Sequence, residues 1–369
     1  MFDIGEERRI NKAILEYIDY YSLNLEHLVV YTEVGSGYYQ FTPMICVIAG
    51  AQKVYAVTRD SNWGKADEIK KATYDIINRW DLRDCVEVVE EKKAKDVSKC
   101  DIITNLGFVR PIDSEMISWM KATAVIPLMW EAWEFRPNEI DMSACKKRGI
   151  LVLGTDEHKN SFIKYAGYVV WKLLFESNIE IFKNRFLVMS SDPVARVINE
   201  LFYNNGIDFM WTSFHENIQG KYRPFHIDRH DRSTLLDFIS RCDAVICDEK
   251  VFDRPLIHSR GLITPEDLKE ANDSIVVIVR SGVIDHEGLR RCGIRVYPET
   301  QVPFGYSTTC SYALGPRPVI ELHVAGLKVG EAMARARLAG LGVVEAARQA
   351  RQQSLAQDFE GDLAWIKDL

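Results

Sequence analysis

The stretch HLVVYTEVGSGYYQFTPMICVIAGAQKVYAVTRD, residues 27–60, decides the fold. It begins with an apolar run typical of a strand, continues with a helix-like run, and ends with a second apolar strand that finishes at Asp60. Gly35 and Gly37 separate the first strand from the helix, and glycine allows the backbone to turn sharply at such a point. The stretch therefore predicts a strand, a glycine turn, a helix and a parallel strand.

Alternation of strand-like and helix-like segments continues on both sides of this unit. We predict an α/β fold with two Rossmann-like parallel-sheet domains, joined by a long helix and followed by a helical C-terminal tail. The predicted boundaries are 1–160 for the first domain, 161–315 for the second and 316–369 for the tail. The tail is predicted to contain two short helices that are interrupted at the sequence LAGLG.

Composition excludes several classes of protein. The 369 residues are 47% hydrophobic, which is enough for about two domain cores. The formal net charge is −7 and no dense run of Lys or Arg occurs, so nucleic acid is not an expected partner. No signal-peptide pattern and no long apolar segment are present, so a soluble, cytoplasmic protein is expected. The eight cysteines form no C-x-x-C pair, and we expect no metal site.

The glycine turn and Asp60 together predict a ligand that contains adenosine. Gly35 and Gly37 would allow a ligand to approach the backbone closely. Asp60 follows the second strand, where an acid in dinucleotide-binding folds holds the ribose diol. Because two separated features agree on one ligand, binding is a better explanation than a turn that only packs a strand against a helix.

Residues 27–107 resemble class I methyltransferases, which use S-adenosylmethionine. The resemblance rests on the pattern E-x-G-x-G, present as Glu33-Val34-Gly35-Ser36-Gly37, and it extends through Asp60 to the segment CDIITNLG. It implies that Glu33, Gly35, Ser36, Gly37 and Asp60 bind S-adenosylmethionine. It also implies that Asn105, after the fourth strand, lines the active site. The alternative NAD(P) fingerprint, G-x-G-x-x-G, lacks its third glycine, because that position is occupied by Gln40.

Residues 140–290 resemble D-2-hydroxyacid dehydrogenases in layout. Arg280, in the segment RSGVID, matches the arginine of that family that binds the substrate carboxylate. The glycine fingerprint of the family would fall at 190–196, which contains no glycine. The motif that carries the general acid has its best match at Pro303-Phe304, and phenylalanine cannot exchange a proton. This half is therefore interpreted as a degenerate dehydrogenase-like domain that binds substrate, forms a dimer, or does both.

The leading hypothesis is a methyltransferase that acts on a small molecule, with S-adenosylmethionine as cofactor. Glu131 is the candidate base, and Asn105 and Arg280 are the other candidate catalytic residues, in a cleft between the domains. The first alternative is an NAD(P)-dependent oxidoreductase of the 2-hydroxyacid dehydrogenase type. The second is a non-catalytic protein that binds a nucleotide or another protein. A homodimer is expected because the C-terminal helices have little core of their own.

Overall fold

The chain folds into two compact α/β units. The computed structural model describes residues 2–82, 84–160, 162–216 and 218–366. Unit 1 combines the chain up to Phe162 with the chain from Pro316 onward, and unit 2 is the segment Ile163–Gly315 between them. The predicted fold class, two parallel-sheet α/β domains with a helical C-terminal region, is confirmed. The three-part division of the chain stays a prediction.

The strands are numbered in chain order. They are β1 (Val29–Glu33), β2 (Lys53–Val57), β3 (Val86–Val89), β4 (Ile102–Ile103), β5 (Val125–Pro127), β6 (Leu151–Thr155), β7 (Arg185–Ser190), β8 (Asp208–Thr212), β9 (Ala244–Asp248), β10 (Pro255–Ile257), β11 (Val276–Ser281), β12 (Val283–Ile284), β13 (Arg295–Tyr297) and β14 (Ala356–Gln357).

The α-helices are numbered in the same way. They are α1 (Ile4–Tyr21), α2 (Thr42–Ile48), α3 (Ala66–Arg79), α4 (Ala94–Val97), α5 (Ser114–Trp119), α6 (Met142–Arg148), α7 (Tyr165–Glu176), α8 (Val194–Asn204), α9 (Arg232–Ile239), α10 (Pro265–Ala271), α11 (His286–Arg291), α12 (Pro316–Leu338) and α13 (Val343–Gln353). Within the described part of the chain, none of them combines the length and apolar character that a bilayer-spanning helix requires.

The sheet of unit 1 has the strand order β14-β6-β5-β4-β1-β2-β3 in the described residues. Neighbouring strands are parallel except at the edge, where β14 runs antiparallel to β6. Apart from this edge strand, the order reads 3-2-1-4-5-6 along the chain. The central strands are nearly all buried, as expected for a parallel sheet that is covered by helices on both faces.

Local sequence explains where the helices of unit 1 begin. The Asp3 carboxylate accepts a hydrogen bond from the Glu6 N–H and the Glu6 side chain accepts one from the Asp3 N–H, which forms a capping box at the start of α1. In α3 one face is buried, and it includes Ile69, Thr73, Ile76 and Ile77. Helix α12 also belongs to this unit, so the C-terminal segment supplies core to unit 1.

Unit 2 has a five-stranded parallel sheet in the order β13-β11-β9-β7-β8. The short strands β10 and β12 pair in parallel and form a separate two-stranded sheet. The long helix predicted at the start of this unit is shorter than expected. Helix α7 ends at Glu176 because Ser177 bonds back to the Leu174 carbonyl and Asn178 adopts a left-handed conformation at φ +59°.

Candidate functional site

The strand order of unit 1 reverses between β1 and β4. In sheets of the 3-2-1-4-5-6 type, dinucleotides bind outside the carboxyl ends of the strands at this reversal. The loop after β1 contains Gly35, Ser36 and Gly37, and the loop after β4 contains Asn105. Four of the residues predicted from the sequence therefore lie at one topological switch point.

The glycine loop presents bare backbone at this switch point. Gly37 is exposed and has φ +58°, a left-handed conformation that side chains disfavour. A Cβ on Gly37 would meet no heavy atom within 4 Å, so the space above it is open. A Cβ on Gly35 would lie 3.1 Å from the Tyr39 Cβ, so that glycine allows the turn to close. The two glycines thus serve different purposes, close packing at Gly35 and access at Gly37.

Glu33 holds the loops after β1 and β4 together. Its buried carboxylate accepts a 2.7 Å hydrogen bond from the backbone N–H of Phe108. Burial raises the pKa of Glu33, and the Phe108 N–H and the guanidinium of Arg110 partly oppose that rise. This contact lies within the protein. It gives a structural reason for the acid two residues before Gly35, and no methionine nucleoside is needed to explain it.

Asn105 offers an unused donor at the end of β4. Its side chain is fully buried, and the Oδ1 atom accepts a 2.9 Å hydrogen bond from the Met129 N–H. The Nδ2 atom is also buried and has no hydrogen-bond partner among the described residues. Because an unmade hydrogen bond at a buried donor is costly, such a group is a candidate for contact with a ligand.

A cavity of about 320 Å³ lies in unit 1 beside the ends of β2 and β3. Arg59 and Lys92 line it together with the aromatic rings of Phe108 and Trp119. The Arg59 guanidinium lies over the Phe108 ring, with 5.4 Å between the guanidinium carbon and the ring centroid. The volume of the cavity is at the lower end of the range for small-molecule sites. This cavity gives unit 1 a pocket on the β2 side of the switch point.

Asp60, predicted to bind the ribose, is already engaged at the start of α3. Its Oδ1 accepts a 2.9 Å hydrogen bond from the Ala66 N–H, and its Oδ2 accepts a 2.7 Å bond from the Lys65 Nζ. The bond from Lys65 is the main cause that lowers the pKa of Asp60. The residue before it, Arg59, lines the cavity, and its role was not predicted from the sequence.

Glu131 lies after β5, on the opposite side of the switch point from the cavity. Its buried carboxylate accepts hydrogen bonds from the Trp133 indole N–H and from the Glu157 N–H. The Nε2 atom of His158, which follows β6, is 3.8 Å from the Glu131 Oε1. His158 is half-exposed, whereas Glu131 is fixed by two donors. An imidazole held beside a fixed carboxylate can accept or release a proton at the surface.

His158, Arg59 and Phe108 were not predicted from the sequence. His158 carries no motif, and only the pairing of β5 with β6 brings the loops that contain Glu131 and His158 together. Arg59 could have been predicted, since it directly precedes Asp60, the acid predicted at the end of the second strand. In the described residues, no group of three or more His, Cys, Asp or Glu side chains has the arrangement of a metal site.

The switch point of unit 2 is filled by its own side chains. It lies between β7 and β9, where Ser191 and Glu249 meet at the strand ends. The buried Glu249 carboxylate accepts bonds from the Val251 and Phe252 N–H groups and from the Ser191 hydroxyl, at 2.8, 3.0 and 2.5 Å. Two backbone N–H groups and a hydroxyl are donors suited to an anion. An internal carboxylate occupies them here, and the loss of a dinucleotide site in this unit stays a prediction.

Arg280 lies at the end of β11 in unit 2 and is buried. Its Nε atom donates a 2.5 Å hydrogen bond to the Asp248 Oδ2. The guanidinium is therefore paired with a carboxylate of its own unit, and contact with a substrate carboxylate stays a prediction.

Comparison with known proteins supports the fold. The sequence matches no protein-family model and no curated protein. Its structure is similar to that of a dipicolinate synthase from Bacillus subtilis, with 10% sequence identity over 87% of this chain and 100% of that chain, and a TM-score of 0.55. The dipicolinate synthase structure from Bacillus halodurans gives 11% identity, 82% and 96% coverage, and a TM-score of 0.53.

A third similar structure is D-lactate dehydrogenase with NAD⁺ from Lactobacillus jensenii. It has 13% identity to this chain, coverage of 78% of this chain and 97% of that chain, and a TM-score of 0.44. At these identities the similarity establishes the fold alone. The prediction of two Rossmann-like parallel-sheet domains is confirmed at the level of the fold.

The prediction that this protein is an S-adenosylmethionine-dependent methyltransferase is wrong. The two dipicolinate synthases that share the fold are not methyltransferases. The strand order 3-2-1-4-5-6 of unit 1 is typical of dinucleotide-binding sheets. The E-x-G-x-G spacing was misleading because Glu33 satisfies the Phe108 N–H within the protein.

Proposed function

We propose that this protein is an oxidoreductase that uses a nicotinamide dinucleotide and acts on a small molecule. The observation that carries the proposal is the reversal of strand order between β1 and β4, with Gly35 and Gly37 in the loop at that point. When bound, the nicotinamide would accept or donate a hydride. Groups suited to the two halves of such a ligand lie on opposite sides of the glycine loop, which supports the proposal.

The residues present fit this ligand. The exposed backbone at Gly37 would let the pyrophosphate approach, because an added Cβ there meets only open space. The cavity lined by Arg59 and Phe108 would take the adenosine half. The unpartnered Nδ2 of Asn105 would donate to the other half, beyond β4. The missing third glycine at Gln40 is compatible with this fit, since a 3₁₀ turn over Gly37–Phe41 precedes α2.

His158 is the residue that we assign to proton transfer. Oxidation of an alcohol releases a proton as well as a hydride, so a base is needed near the nicotinamide. Nε2 of His158 would take that proton, and the Glu131 carboxylate 3.8 Å away would stabilise the resulting imidazolium. Glu131 is thus assigned as the residue that positions His158, and not as the base itself.

Thermal unfolding with added ligand tests the proposal. We expect NAD⁺ or NADP⁺ to raise the melting temperature, because a ligand that binds only the folded state stabilises it. S-adenosylhomocysteine should leave the melting temperature unchanged. Gly37→Ala should weaken dinucleotide binding about tenfold or more, because the new Cβ stands where the ligand approaches. No shift with either dinucleotide would overturn the proposal.

Gly206→Ala provides a matched control. Gly206 also has a left-handed conformation, φ +65°, and open space around an added Cβ, but it lies in unit 2. Both variants should lose similar stability, whereas only Gly37→Ala should lose affinity.

His158→Gln is expected to retain dinucleotide binding and to lose turnover, and an equal loss of binding in that variant would contradict its assignment to proton transfer.

A further inference from the structure

The geometry points to a cofactor that carries a phosphate on the 2′ position of its adenosine ribose, and to Arg59 as the residue that selects it. This inference rests on the proposed function and specifies which of the two nicotinamide dinucleotides is bound. An acid at the end of the second strand holds a free ribose diol, whereas an arginine there accommodates a 2′-phosphate. This chain has both residues, Arg59 and Asp60, next to each other.

Asp60 is already engaged by two donors. One oxygen accepts a bond from the Ala66 N–H at 2.9 Å and the other accepts one from the Lys65 Nζ at 2.7 Å, although each oxygen keeps a second lone pair. The first bond satisfies a free N–H at the start of α3, and the second places a cation against the carboxylate. The negative charge that would repel a phosphate is therefore compensated.

Arg59 differs from Asp60 in its hydrogen bonding. The residue is exposed and lines the cavity, and its guanidinium lies over the Phe108 ring. No group in the described part of the chain accepts a hydrogen bond from it. A guanidinium carries five N–H donors in a planar fork that matches a phosphate. Arg59 thus offers a free phosphate-binding group at the end of the second strand.

Lys92 supplies a second cation to the same cavity. Its Nζ donates to the Pro111 carbonyl at 2.6 Å and to the Val109 carbonyl at 3.4 Å. An ammonium has three donors, so one remains after these two bonds. Two carbonyls fix the position of this cation on a wall of the cavity. Burial lowers the pKa of Lys92, and the charge of Arg59 acts in the same direction while that of Asp113 opposes it.

Four carboxylates also line the cavity, and three of them have partners. Glu90 pairs with Lys70 at 3.7 Å, and Glu91 pairs with Lys93 at 3.2 Å. Asp113 accepts a 2.8 Å bond from the Met116 N–H and so caps α5. The fourth, Glu115, lies in the first turn of that helix. Lysines outside the cavity pair with two of these four acids, and the N–H donors that Arg59 and Lys92 keep free are the groups that would contact the phosphate.

Isothermal titration calorimetry on the full chain tests this inference. NADP⁺ should bind about tenfold more tightly than NAD⁺ or better, which is the effect expected of a charge-assisted pair. The fragment 2′,5′-ADP should bind more tightly than 5′-AMP by a similar factor, because the two differ only in the 2′-phosphate. Arg59→Ala should bring both ratios close to one and leave the affinity for NAD⁺ within about threefold.

Arg9→Ala is the control for the loss of one positive charge. Arg9 is exposed on α1 and does not line the cavity, so its removal should leave both ratios unchanged. Equal or tighter binding of NAD⁺ by the wild-type protein would overturn this inference and leave the proposed function standing. Retention of the NADP⁺ preference in Arg59→Ala would overturn the role of Arg59. Failure of both dinucleotides to bind would overturn the proposed function itself.

Discussion

His323 illustrates, at the scale of the residue, how burial sets a protonation state. It lies on α12 and is buried, and its Nδ1 atom is 2.9 Å from the Thr42 hydroxyl oxygen. Burial lowers the pKa of His323 from its usual 6.5 to about 3. The folded protein therefore holds the imidazole neutral at any pH above that value, next to the start of α2.

Stability should consequently fall as the pH decreases below about 6.5. The unfolded chain binds a proton at this histidine in the range between the unfolded pKa and the folded one, and the folded chain does not. The contribution is fully present above pH 6.5, and its loss reaches about 2 kcal/mol by pH 5. Urea unfolding at pH 7.5 and pH 5 should show a smaller loss of stability in His323→Gln. The same loss in both proteins would contradict the assignment.

At the scale of the element, α12 packs against the sheet of unit 1 through two glycines one turn apart. A Cβ on Gly326 would lie 2.5 Å from the Met129 Sδ. A Cβ on Gly330 would lie 2.9 Å from the Ile102 Cγ2 and 3.0 Å from the Pro127 Cγ. The helix can approach β4 and β5 closely only because these positions lack side chains. Glycine is thus kept inside a helix although it lowers helix propensity.

Gly330→Ala is expected to destabilise the protein by about 1–2 kcal/mol. Overpacking costs about 1–3 kcal/mol, and the better helix propensity of alanine returns up to about 1 kcal/mol. Denaturant unfolding measures the difference. Leu338→Ala on the same helix is the control, because Leu338 is 51% exposed and its truncation should change stability by less than about 0.5 kcal/mol. A stabilised Gly330→Ala protein would show that the helix can shift away from the sheet.

At the scale of the whole molecule, the two units differ in how many segments of the chain form them. Unit 2 is one continuous segment, Ile163–Gly315, whereas unit 1 needs α12 from the C-terminal segment. Most of α12 is buried, including Ile320, Val324 and Leu327. Removal of α12 would leave the sheet face against which it packs exposed to water. The predicted homodimer and cytoplasmic location stay predictions.

Separate expression of the segments checks this organisation. The segment 163–315 should fold alone and show a cooperative thermal transition by circular dichroism, because its strands pair within the segment. The segment 1–162 should lack such a transition, and addition of 316–369 through a flexible linker should restore it. Cooperative unfolding of 1–162 by itself would show that α12 is dispensable for the core of unit 1.

Part of the site could be predicted from the sequence, and part could not. Gly35, Gly37 and Asn105 follow β1 and β4, which are neighbours in the parallel sheet, so their loops meet at one edge, and their role in binding stays a prediction. The choice of cofactor was wrong because the sequence does not reveal that Glu33 bonds to Phe108. His158 was missed because a single histidine in a loop has no periodicity or spacing that distinguishes it.

The sequence alone determined the fold class, the position of the glycine turn and the break between α12 and α13. These features depend on local composition: apolar runs, glycines and helix periodicity. Tertiary structure decided which strands are neighbours, that Asp60 caps α3 while Arg59 lines the cavity, and that the C-terminal helices complete unit 1. The physical reason is that pairing and packing join residues far apart in the chain, and no local pattern encodes such contacts.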